Sequence, residues 1–107
     1  MERTATRERV TKETSVNIEL NLDGSGDSKI DTSVKFLDHM LILLAKHANI
    51  VLNISAKGDL THHIVEDVAI TLGECFFFFF NDKKGINRYG SAFIPMDDSL
   101  ARCVIDF

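Results

Sequence analysis

Residues 15–48 read SVNIELNLDGSGDSKIDTSVKFLDHMLILLAKHA, and a change of period inside this stretch decides how the chain folds. Val16, Ile18, Leu20 and Leu22 alternate with Ser15, Asn17, Glu19 and Asn21, the two-residue period of a strand with one buried face. Asp23-Gly24-Ser25-Gly26 follows as a turn, after which Ile30, Thr32 and Val34 alternate with Lys29, Asp31, Ser33 and Lys35. These two strands are expected to form an antiparallel hairpin. The glycines are turn chemistry, since no Lys-Ser/Thr follows them and no helix opens there as a phosphate loop requires. From Phe36 the period lengthens. Phe36, Leu37, Met40, Leu41, Leu43 and Leu44 recur at three and four, which predicts a helix to about Ala48 packed on the sheet.

Beyond this stretch, Ile50, Leu52 and Ile54 alternate as a third strand, and Lys57-Gly58-Asp59 turns the chain. Thr61 is the expected N-cap of a second helix, with Val65, Val68, Ala69, Leu72, Phe76 and Phe79 or Phe80 as its apolar stripe out to about Asn81. The run Phe76 to Phe80 covers more than one turn and cannot all face one core. It reads either as an apolar helix end against the sheet or as a subunit interface. After Asp82-Lys83-Lys84-Gly85, Ile86 to Ile94 and Leu100 to Phe107 read as two further strands joined through Pro95-Met96-Asp97-Asp98.

With 107 residues, 45% of them hydrophobic and 26% charged, the composition is that of an ordinary soluble globular domain. A net charge of −4 argues against nucleic acid or an anionic membrane as partner, both of which need a basic face, and so disfavours an RNA-binding domain. The longest apolar runs, Met40 to Ala45 and Cys75 to Phe80, fall far short of the ~20 residues that cross a bilayer. Glu2, Arg3, Arg7, Glu8 and Arg9 interrupt any signal-like segment, and Cys75 and Cys103 lack CxxC spacing. A cytoplasmic protein with reduced thiols is expected.

All four histidines fall between His39 and His63. Imidazole nitrogen and carboxylate oxygen suit a divalent cation of borderline softness, so the crowding points to a metal site. His39 and His47 are eight residues apart on one helix, about 12 Å along its axis, too far to share an ion. His62 and Glu66 are i,i+4 neighbours that could hold one cation, while His63 points about 100° away and is free for another. The competing reading of His62-His63-x-x-Glu66 is helix N-terminal capping. Each ion would receive only one or two ligands from a helix, so the rest must come from elsewhere in the fold or from another subunit.

In order, Lys12-Glu13-Thr14, Leu22-Asp23-Gly24, Phe36-Leu37-Asp38-His39-Met40-Leu41, His47, Gly58-Asp59, His62-His63-Ile64-Val65-Glu66-Asp67, Leu72-Gly73, Lys84 to Gly90 and Pro95-Met96-Asp97 closely resemble the imidazoleglycerol-phosphate dehydratase family of histidine biosynthesis. The resemblance spans nearly the whole chain. It implies an α+β fold of two similar halves, each a hairpin-helix-strand-helix unit like the second domain of ribosomal protein S5, with the sheet packed on helices. Residues 1–83 match the first half. Residues 84–107 match only the hairpin that opens the second, whose helices are absent here. The phenylalanine run also departs from the family, which carries alanine, leucine and charged residues there.

The resemblance further implies two manganese ions per active site, lying between subunits of a homo-oligomer of trimers assembled into a 24-mer. His39 and His63 would serve one ion, and His62 with Glu66 the other. Glu13 and His47 would line the pocket for imidazole glycerol phosphate together with those histidines, and Lys84 and Arg88 would face the phosphate, for which a guanidinium fork is suited. Taken without the family, Arg88 reads as a solvated charge. The implied reaction removes a carbon-bound proton that no adjacent carbonyl acidifies, so the imidazole ring must serve as electron sink and cations on its nitrogens would stabilise the anion. Glu13 and Glu66 are the catalytic carboxylates this chain would contribute, with a further glutamate in the missing half. The alternative from a different class is a non-catalytic metal-binding or oligomerisation module.

Overall fold

The computed structural model describes residues 2–107. Its elements run β1 (Thr4–Val10), β2 (Thr14–Asn21), β3 (Ser28–Asp31), α1 (Lys35–Ala48), β4 (Val51–Gly58), α2 (Thr61–Phe80), β5 (Tyr89–Met96) and β6 (Ser99–Asp106). The first four strands make one sheet in the spatial order β1-β2-β4-β3, and β5 and β6 pair as a separate two-stranded hairpin. This is the expected α+β class.

The expected hairpin of residues 15–22 and 29–35 does not form. β2 pairs antiparallel with β1, Ile18 opposite Arg7, and with β4, Ile18 opposite Ile54. β3 lies beyond β4 and parallel to it, with Ile30 opposite Ile54. Alternation assigns faces to a strand and leaves its neighbours open. Here β2, with Val16, Ile18 and Leu20 fully buried, takes a central position, and the chain after it crosses the end of β4 to reach the far edge. Leu52 N–H donates to Asp27 O at 3.3 Å in that crossing, and a Cβ on Gly24 would stand 2.4 Å from Val51 N, so glycine is required there. The strand that does pair with β2 across Thr11-Lys12-Glu13, β1, was hidden by Arg7, Glu8 and Arg9; as an edge strand it carries charges at little cost.

Both helices cover the same face of the sheet. Val16, Ile18, Leu20, Leu52, Ile54 and Ala56 from the strands meet Leu41 and Ala45 of α1 and Ile64, Val68 and Cys75 of α2. Each large aliphatic side chain buried in this way contributes about 1.5–3 kcal/mol. The opposite face is polar and open, with Asn17, Glu19, Lys29, Asp31, Asn53 and Ser55 around a shallow cleft. In α1 the expected stripe is only part of the core: Leu41 is buried and Leu37 half-buried, while Phe36, Met40 and Leu44 stay exposed. Asp38 secures the start of this helix by accepting Thr32 N–H at 2.8 Å and the Thr32 hydroxyl at 2.5 Å. Asn49, in the left-handed region at φ 54°, ends it.

Three further expectations are corrected at the ends of elements and along α2. Leu60, not Thr61, occupies the N-cap of α2, with no side-chain cap. The inner side of α2 is Ile64, Asp67, Val68, Thr71 and Cys75, flanked by half-buried Leu72, Phe76 and Phe79, whereas Val65 and Ala69 face outward. A stripe drawn through apolar residues alone misses the inward turn of Asp67 and Thr71, which are buried because each is hydrogen-bonded. β5 begins at Tyr89 rather than Ile86 and includes Pro95 and Met96, leaving the two-residue turn Asp97-Asp98 with Asp97 at φ 51°. Proline is tolerated there because a two-stranded hairpin is all edge. In the phenylalanine run, Phe77 and Phe78 are exposed and Phe80 meets Phe107 at 4.8 Å between ring centres; Phe77, Phe80 and Phe107 border an apolar groove of about 770 Å3 with Leu44 and Ile105.

Candidate active site

The end of the sheet where β1 turns into β2 and β4 turns into α2 collects most of the chemistry. Thr11 Oγ1 accepts the backbone N–H of Glu13 and of Thr14, each at 3.0 Å, which shapes the β1–β2 turn. Asp59 N–H donates to Glu13 O at 3.0 Å and so ties the β4–α2 turn to it. Gly58 permits this approach, because a Cβ there would lie 2.7 Å from Ile64 Cγ1 and 3.0 Å from Glu13 O. Behind the turns, Asp67 accepts the Thr14 hydroxyl and Arg9 Nε at 3.3 Å, pinning the first half of α2 to β1 and β2.

His63, in the first turn of α2, projects between the tied turns. Its Nδ1 is 2.7 Å from Asp59 Oδ1 and 3.5 Å from Glu13 Oε2. The hydrogen bond to Asp59 is the main cause that raises the His63 pKa above its ordinary value; partial desolvation opposes it, and the charges of Glu13, Asp59 and Glu66 add to it. The same bond to His63 is the main cause that lowers the Asp59 pKa. His62 lies beside His63 with ring centres 4.2 Å apart, and Glu66 follows one turn later on the exposed flank of α2.

The remaining candidates are dispersed. His39 and His47 are exposed on α1. Among the described residues no group of three or more His, Cys, Asp or Glu side chains is gathered as a metal cage, so His39 does not complete a ligand set with His63 inside one chain. Lys84 lies in the α2–β5 connection, where its N–H donates to the Asp82 side chain at 3.1 Å. Arg88 Nε donates to Asp106 Oδ1 at 2.9 Å and to Phe107 O at 2.8 Å, closing the open end of the β5–β6 hairpin. Asp59, Asp67 and Thr14 were not singled out as functional from the residues. The signal for Asp59 was its i,i+4 spacing to His63, an acid–imidazole pair spanning the start of a helix.

The proteins that the chain is similar to are dehydratases, and the solved structures among them share its fold. The sequence profile described as imidazoleglycerol-phosphate dehydratase matches residues 32–107. The chain is 54% identical over 107 residues to the protein of that name from Listeria monocytogenes serotype 4b (strain F2365), covering 97% of this chain and 55% of the relative. It is 55% identical to that of Thiobacillus denitrificans, with the same two shares. Among solved structures, that of the Staphylococcus aureus N315 enzyme superposes with a TM-score of 0.82 at 41% identity, over 96% of this chain and 57% of the other. That of the Pyrococcus furiosus enzyme, in complex with (S)-C348, gives 0.76 at 35%, over 94% and 53%. The chain belongs to the imidazoleglycerol-phosphate dehydratase family, and it spans about half the length of the curated relatives it matches.

Proposed function

We propose that this chain is the N-terminal part of a manganese-dependent hydro-lyase that converts imidazole glycerol phosphate to imidazole acetol phosphate in histidine biosynthesis. It would act in the cytoplasm within a homo-oligomer, with residues 1–83 as the first half and 84–107 opening the second. The observation that carries this reading is the convergence of Glu13, Asp59 and His63 at one end of the sheet, beside His62 and Glu66, in a chain of this family.

The donor chemistry fits a divalent cation. His62 with Glu66, and His63 through Nε2, offer the nitrogen and oxygen ligands that manganese or zinc accept, and His39 of another subunit would complete the His63 site. A bound cation supplies Lewis acidity toward the substrate imidazole. The reaction breaks one C–H and one C–O bond, releases water, and leaves an enol that tautomerises to the ketone. Glu13 suits the proton transfer: its backbone is held on both sides by Thr11 and Asp59, and its carboxylate stands half exposed at the rim. From there it takes the carbon-bound proton, while Glu66 and the histidines orient the ring. His47 would contribute to the pocket wall, and Lys84 with the terminal guanidinium nitrogens of Arg88 would meet the phosphate while Arg88 Nε stays on β6.

The test joins this chain to the C-terminal half of the Listeria relative, loads Mn2+ and assays imidazole acetol phosphate. Turnover is expected, with a loss of about 100-fold or more in Glu13→Gln and in His62→Ala. Undiminished turnover in His62→Ala refutes its role. Bound metal without any dehydration would favour the non-catalytic metal-binding module.

A further inference from the structure

Two carboxylates reach the same edge of His63, and they are not equivalent. Asp59 Oδ1 sits 2.7 Å from Nδ1, at full hydrogen-bond distance, whereas Glu13 Oε2 is 3.5 Å away. The same Asp59 oxygen accepts the Leu60 backbone N–H at 2.7 Å, which orients the carboxylate toward the ring. An ionised carboxylate can only accept, so the hydrogen of this bond belongs to Nδ1. In the neutral ring the lone pair is then on Nε2. Among the described residues the other three imidazoles have no such partner, which leaves their tautomers unassigned.

We propose that Asp59 is a positioning residue: it fixes His63 as the Nδ1–H tautomer, turns Nε2 outward as the metal-binding nitrogen, and by occupying Nδ1 leaves the Glu13 carboxylate free for proton transfer. The proposal rests on the reading of His63 as a ligand given above. A carboxylate behind a ligating imidazole fixes ring orientation and raises ligand basicity, and its removal costs about 10- to 100-fold in metal affinity. The tie between the two turns runs through the Asp59 main chain, Asp59 N–H to Glu13 O, so it survives replacement of the side chain. Side-chain variants therefore leave the two turns tied and change, besides the ring, only the contact with Leu60 N–H.

Long-range proton–nitrogen NMR of the metal-free chain with labelled histidine reads the tautomer directly. In the wild-type chain His63 Nδ1 should show a protonated signature and Nε2 a lone-pair signature above the ring's titration. Asp59→Ala should return a mixture of tautomers, with the backbone spectrum unchanged away from Leu60, whose N–H loses its acceptor. Mn2+ is then titrated into each chain and its apparent Kd read from paramagnetic broadening of the His63 ring. Asp59→Ala should bind about 10- to 100-fold more weakly, and Asp59→Asn should keep whatever affinity matches the share of Nδ1–H that it keeps. A wild-type ring carrying its hydrogen on Nε2, or an Asp59→Ala chain that loses the Nδ1–H signature yet binds Mn2+ as tightly, overturns the proposal. A wild-type ring with the Nδ1–H signature that no Mn2+ broadens overturns instead the reading of His63 as a ligand, and with it the metal-facing part of the proposal.

Discussion

Replacing Thr14 with valine keeps the volume of a packed side chain but removes the hydroxyl that Asp67 accepts from. Thr14 is 4% exposed and Asp67 8%, so neither group can turn to water instead. A hydrogen bond to a charged group contributes about 1.5–3 kcal/mol, and here the carboxylate stays buried when the bond is lost. The expected cost is about 2 kcal/mol, which in a chain of this size lowers the melting temperature by about 10 °C. Arg9→Met removes the other partner, but that side chain is 37% exposed, so solvent screening holds its cost below about 1 kcal/mol. Urea unfolding followed by circular dichroism compares the two. With a slope of about 1.5 kcal/mol per molar, Thr14→Val should lower the midpoint by about 1.3 M and Arg9→Met by less than about 0.7 M. A double-mutant cycle with Asp67→Asn should return a coupling of about 1 kcal/mol or more. A Thr14→Val chain within about 0.3 kcal/mol of wild type, or an Arg9→Met chain that loses as much as Thr14→Val, would refute the reasoning that this hydroxyl holds α2 to the sheet.

Gly58→Val should destabilise by about 1–3 kcal/mol, because even its first carbon would collide with Ile64 and the Glu13 carbonyl; an unchanged thermal melt would show that the two turns are not in contact. In the metal-free chain the His63 ring should titrate above pH 6.5 by proton NMR and fall back toward that value in Asp59→Ala, where equal midpoints would deny the pairing. The raised His63 value means that its share of stability is fully present below about pH 6.5 and is lost as pH rises through the folded value; the lowered Asp59 value means that its share is present above the ordinary carboxylate range and is lost as pH falls through the folded value. A water-soluble thiol reagent should label exposed Cys103 at once and Cys75 only as the chain opens, since Cys75 is fully buried and burial pushes its thiol pKa up; equal labelling rates would contradict the packing of α2.

The strands and helices legible in the sequence were those whose apolar residues keep one period. Val16-Ile18-Leu20 and the rows of α1 and α2 gave their elements within a few residues. What stayed hidden was pairing and polarity. β1 shows little alternation because it is a charged edge, and the position of β3 beside β4 depends on a crossing at Gly24 that no local pattern records. At the site, His62, His63 and Glu66 announced themselves by spacing, and the structure sets Glu13 within reach of His63 from a turn 50 residues earlier, which the residues suggested only through family resemblance. Asp67 and Thr14, which the residue patterns assign to no face, are each buried because one satisfies the other.

Manganese-edge anomalous diffraction tests the central claim most directly, with crystals of this chain joined to the C-terminal half of a relative. The account predicts two peaks per active site, one against Nε2 of His63 with His39 from another subunit and one beside His62 and Glu66, with Asp59 still on His63 Nδ1. Peaks absent from these side chains, or a metal bound to Nδ1 of His63 with Asp59 displaced, would contradict it.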